Sequence, residues 1–188
     1  MKKILFSVVL LVSTLMPTVA SADLSRTTLF SLNTIYIDRD YTFANVSTHD
    51  KITDTDLRLM RIEKKWAYGV IYSQSASDSS DASRTSYGIS TGYYSDKDFY
   101  VNLHYFFGSK YTMGATEYSK GSGYEIDLGF LTKITSSFYA GLMFGRKEFK
   151  YSESTTNAGF PGAPSTTAQA SAVHRELIPM FTFAVVFQ

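Results

Sequence analysis

Few side chains in this chain of 188 residues are suited to moving a proton, holding a metal or attacking a substrate, and they form no recognisable catalytic set. The histidines are His49, His104 and His174. His174-Arg175-Glu176 has no serine beside it to serve as a nucleophile. His-Glu-x-x-His does not occur, and Gly-rich phosphate loops are absent. With no cysteine, thiol chemistry, thiolate metal sites and disulfides are excluded. His49-Asp50 and the pair Asp78 and Asp81 lie in polar stretches and read as solvated loop residues. The expectation is therefore no catalytic residue, no cofactor and no metal.

Six polar residues stand apart because the segments carrying them alternate. Val101-Asn102-Leu103-His104-Tyr105 and Tyr124-Glu125-Ile126-Asp127-Leu128 place every second residue on one face. Antiparallel pairing of the two segments sets His104 across from Glu125 or Asp127. The same logic sets Lys147 opposite Glu176. Asn102, His104, Glu125, Asp127, Lys147 and Glu176 are thus expected on one inner face. Ionisable groups inside a membrane protein suggest a proton relay or a gate. A satisfied polar interior that fills a narrow space and holds register is the expectation preferred here.

The elements that must position these residues are read from period-two alternation, which recurs in eight segments. These are about 26–37, 55–63, 66–74, 85–94, 99–107, 124–132, 138–151 and 175–187. Outward residues are strongly aromatic, as in Trp66, Tyr68, Val70 and Tyr72, and tyrosine and phenylalanine number 14 each. Inward residues are small or charged, as in Gly88, Ser90 and Gly92. Gly129 is expected inward with room for a small side chain. Segment two is ambiguous: Leu57 and Leu59 favour one face and Met60 and Ile62 the other, which suggests a bulge. Connections alternate long and short. Polar stretches at 38–54, 75–84, 108–123 and 152–173 read as long loops, and Glu63–Lys65, Ser95–Asp98 and Lys133–Ser137 as short turns.

Met1-Lys2-Lys3, an apolar run from Ile4 to Met16, Pro17 and Ala20-Ser21-Ala22 form a secretory signal peptide over 1–22. At about 13 residues the run is too short to span a bilayer as a helix. One domain is expected over 23–188. Loss of Lys2 and Lys3 takes the formal charge from +1 to −1, which gives no electrostatic case for nucleic acid. Export, aromatic outer faces and an even strand number together predict an all-β, eight-stranded antiparallel up-and-down barrel in a bacterial outer membrane. Short turns and both termini are expected in the periplasm, and long loops outside.

The signal peptide and the eight alternating strands resemble the small outer-membrane barrel superfamily, the group of the OmpA transmembrane domain, OmpX and OmpW. The resemblance spans the mature chain. The terminal strand, Phe181-x-Phe183-x-Val185-x-Phe187, looks like the insertion signal read by the barrel-assembly machinery, although the chain ends on Gln188 where the family pattern has an aromatic residue. The resemblance implies outer-membrane lipids and lipopolysaccharide, that machinery and an external ligand of the loops as partners. A lipid A deacylase of barrel type would carry a His-x-Ser element, which this chain lacks. The expected role is non-enzymatic, either structural or in surface interaction. A narrow channel for small or apolar solutes is the alternative, and a lipid-modifying enzyme ranks third.

Overall fold

The computed structural model describes residues 26–43, 46–78, 81–95, 98–157 and 165–187, with side chains described except at Arg26 and 38–50. The signal peptide, the side chains of His49-Asp50 and the segment 159–164 lie outside the described residues. Eight strands follow one another: β1 (Arg26–Phe43), β2 (Val46–Glu63), β3 (Trp66–Ser77), β4 (Ala82–Tyr94), β5 (Phe99–Met113), β6 (Thr116–Lys133), β7 (Phe138–Thr156) and β8 (Thr166–Phe187). Each pairs antiparallel with the next, and β8 returns to β1 to close the barrel.

The alternation read in the sequence places the walls as expected. Tyr68, Val70, Ile89, Leu103, Leu128 and Phe144 are exposed on the outside, while Ser73, Ser90, Asn102, Asp127 and Met143 are buried inside. Closure pairs the facing edges of β1 and β8 from Thr28↔Phe187 to Thr34↔Phe181, so backbone donors and acceptors along that seam are satisfied within the wall. Between β2 and β3 the chain reverses on Lys64 and Lys65, both at positive φ (49° and 80°), as a two-residue turn matching strand twist requires.

Three expectations need correction. The long loops are largely strand: β5 and β6 pair as far as Met113↔Thr116, and β7 and β8 as far as Thr156↔Thr166. Ladder bonds need no apolar side chains, and Thr-rich faces suit them. Thr116 and Thr156 meet across the sheet at 3.2 Å. Segment two carries no bulge; its register with β1 and β3 is unbroken. Asp54, Asp56, Arg58, Met60 and Ile62 all point inward, and Leu57 and Leu59 outward. Gly129 has no room to spare. A β-carbon there would lie 2.7 Å from Cε1 of Tyr100, whose ring covers it.

The interior has three layers. At the turn end Leu29, Met60, Ile62, Tyr100, Met143 and Met180 form an apolar core. Charged side chains occupy the middle. Above them Ile71, Phe106, Phe149 and Tyr151 pack together, with Tyr111 and Tyr118 against them.

The β1–β8 ladder is short. It runs only from Thr28↔Phe187 to Thr34↔Phe181, whereas β7 accompanies β8 up to Thr166. Pro179, just past the last β1 pair, has no N–H to donate.

Candidate functional site

The charged layer is built from five strands. Strand β2 sends in Asp54, Asp56 and Arg58 at successive inward positions. Strand β5 contributes His104, β6 Glu125 and Asp127, β7 Lys147, and β4 Arg84 from above. All eight side chains are buried.

Lys147 Nζ stands 2.9 Å from Asp54 Oδ1, 2.7 Å from Asp56 Oδ1 and 3.2 Å from Ser73 Oγ. Its register partner is Glu176, as expected, yet its ammonium turns across the lumen to β2. Glu176 is held instead by Arg84 and by His174, whose Nε2 lies 2.6 Å from Oε1. Arg84 also donates to Asp54 Oδ2 at 3.3 Å and lies 4.3 Å over the Phe149 ring. Arg58 bridges three carboxylates: Nη1 is 2.5 Å from Asp127 Oδ2, and Nη2 is 3.2 Å from Asp56 Oδ2 and 3.3 Å from Glu125 Oε1. His104 pairs in register with Glu125 but bonds Asp127, Nε2 to Oδ2 at 2.8 Å. Asn102 lies below, donating to the Tyr94 hydroxyl at 3.4 Å. Phe181 and Phe183 face outward and are exposed, Phe187 is half-buried, and Val185 is buried.

Sequence reasoning missed Asp54, Asp56, Arg58 and Arg84. The first three carried a usable signal, charges at every second position, but Met60 and Ile62 share their face and hid it. Arg84 closes the Ser/Asp-rich stretch 75–84, which reads as a polar loop.

Two chemistries must be weighed. Ligand atoms of His104, Glu125 and Asp127 lie within 4.8 Å of one another. A cation there would meet Arg58 on Asp127 and Lys147 at 3.8 Å from Glu125, so this donor set suits fixed ammonium and guanidinium groups and not a metal. Ser90 Oγ lies 2.6 Å from His104 Nδ1, so Ser90, His104 and Asp127 form a hydrogen-bonded chain in the order of a catalytic triad. A nucleophile must reach its substrate. Ser90 and its partners are buried in a filled interior, and Asp127 is already bound by Arg58. The arrangement does the work of a strut: oppositely charged groups on β2, β4, β5, β6 and β7 tie the wall together across its diameter.

A closed eight-stranded sheet, apolar outside and charged within, defines a small outer-membrane β-barrel. A solved structure shares the fold. The outer membrane protein OprG from Pseudomonas aeruginosa is similar at a TM-score of 0.50 and 12% identity, over 87% of this chain and 96% of its own. The outer membrane protein AlkL, determined by solid-state NMR in DMPC bilayers, is similar at 0.45 and 11% identity, over 92% and 95%. No family model and no curated protein matches the sequence.

Proposed function

We propose that this protein is a non-enzymatic outer-membrane barrel, closed to ions, that works through its outer face. Its long hairpins would stand outside as a surface for an external ligand, and both termini would lie in the periplasm. The filled lumen carries this reading. Apolar, charged and aromatic layers succeed one another, and Arg58, His104, Glu125, Asp127 and Lys147 in the middle layer are all buried, none more than 2% exposed.

A second reading, a conduit for small apolar solutes, draws on a separate observation. The β1–β8 ladder stops at Thr34↔Phe181, near mid-height, beside the aromatic upper layer. A solute entering among Phe106, Phe149 and Tyr151 would leave sideways into the bilayer and not through the charged layer.

One set of bilayer measurements separates the readings. The closed barrel shows no ion steps in a planar bilayer and does not speed uptake of an apolar fluorescent tracer into vesicles. Regular conductance steps would refute ion closure. Tracer uptake that stops when Ile35→Cys and Met180→Cys are cross-linked would favour the conduit. The chain has no other cysteine to interfere.

A further inference from the structure

Three fixed cations, Arg58, Arg84 and Lys147, stand among four carboxyl groups, Asp54, Asp56, Glu125 and Asp127, and all seven are buried. A fifth, Glu176, borders them at the upper edge. It shares Arg84 and is answered as well by the partly exposed His174. Four acids against three cations leave negative charge in excess inside a filled interior. An uncompensated buried charge is expensive, so the excess must be met within the layer.

The cations are not evenly divided. Asp54 takes Lys147 and Arg84, and Asp56 takes Lys147 and Arg58, at 2.7 to 3.3 Å. Asp127 takes Arg58 and His104, both on Oδ2. Glu125 comes last: its Oε1 receives Arg58 at 3.3 Å and Lys147 only at 3.8 Å. Its Oε2 receives no donor, and neither does Oδ1 of Asp127. Arg58 Nε and Arg84 Nε also lack partners, so neither reaches these oxygens.

The two poorly served acids lie together. Glu125 and Asp127 are on one face of β6, two positions apart. Oε1 of Glu125 and Oδ1 of Asp127 each lie 3.0 Å from the point where a β-carbon on residue 145 would stand, and Gly145 leaves that space to them. Close acids with too few cations are relieved by one proton, because a protonated carboxyl donates where a carboxylate only accepts. His104 is the rival holder. Its Nε2–H donates to Asp127, and its Nδ1 lies 2.6 Å from Ser90 Oγ, so a neutral ring beside a donating serine already satisfies both nitrogens. A second proton on His104 leaves both bare oxygens bare, whereas one on Glu125 answers the pair.

We propose that the charged layer binds one proton, held as the neutral carboxylic acid of Glu125 and shared with Asp127. Glu125 acquires it from water before the strands close, and its Oε2–H donates to Oδ1 of Asp127. The layer then balances. This inference goes beyond the closed lumen: a barrel can block ions without holding this proton, so the conductance and protonation measurements fail independently.

The test is infrared absorption of the protein folded at neutral pH in a maltoside detergent, which has no carbonyl of its own. Solvated carboxyl groups are ionised there, so a carboxylic-acid C=O band that shifts in heavy water reports a buried acid. Wild type should show the intensity of a single group, and Glu125→Gln should lose it. Glutamine has the shape and the donor of the neutral acid, so Glu125→Gln should keep the wild-type thermal midpoint. Asp127→Asn, which strips Arg58 and His104 of their partner, should melt lower. Nitrogen NMR should find a single hydrogen on the His104 ring. No acid band, a band that survives Glu125→Gln, or a Glu125→Gln barrel that melts as low as Asp127→Asn would overturn the proposal. Two ring hydrogens on His104 without an acid band would give the proton to the histidine and overturn it too.

Discussion

Lys147 meets Asp54 and Asp56 with every group out of water, so removing the ammonium strands two carboxylates. Lys147→Met should cost about 3–5 kcal/mol in a urea titration of the barrel in lipid vesicles, because an uncompensated buried charge is the expensive product. Asp56→Asn should cost less in the Lys147→Met background than in wild type. Additive effects would mean that the two side chains do not act as a pair. At this scale the sequence was half legible. Strand alternation alone places His104 across from Glu125 or Asp127, and the bond forms to Asp127. The partner of Lys147 does not, because alternation fixes which face a residue takes but not which residue it reaches across a lumen. Lys147 passes its register neighbour Glu176 and crosses to β2, while Arg84 descends from β4 to claim Glu176.

Among the elements, β6 offers the sharpest test of sidedness. Leu128 is half-exposed on the outer wall between Val101 and Phe144, and Asp127 and Gly129 beside it are buried. Leu128→Arg should destabilise the barrel by about 2–4 kcal/mol if it lies near the bilayer midplane. A silent Leu128→Arg in a lipid folding titration would mean that this face does not meet hydrocarbon. The membrane-facing parts of the strands were legible because one face had to be greasy. Their outer extensions were not. Away from the bilayer both faces meet water, alternation fades, and Ser119, Ser122 or Thr155 look like loop residues although they sit in the ladder. Strand β2 failed for another reason. Its inward face passes from the charged layer at Asp54, Asp56 and Arg58 to the apolar layer at Met60 and Ile62, so hydrophobicity changes face along one strand.

For the molecule as a whole, closure predicts resistance to detergent. Folded protein kept cold in dodecyl sulfate should migrate differently from boiled protein, because the sheet closes on itself through the β1–β8 seam. Identical migration, together with a disordered circular-dichroism spectrum, would be incompatible with the barrel.

The interior bridges also bear on the order of events in time. Lys147 and Asp54 are 93 positions apart, and Arg84 and Glu176 are 92 apart. Neighbouring hairpins zip locally, but these bridges wait until the ends of the sheet meet, since distant contacts form only after the long intervening loop has closed. We predict that contacts made that late are absent from the rate-limiting state for folding, so that Lys147→Met speeds unfolding and leaves the folding rate in lipid unchanged. They leave the speed of assembly almost untouched and lengthen the lifetime of the finished molecule. The ion cluster thus acts as a latch that engages after the seam has sealed, holding a barrel whose β1–β8 seam is only seven pairs long.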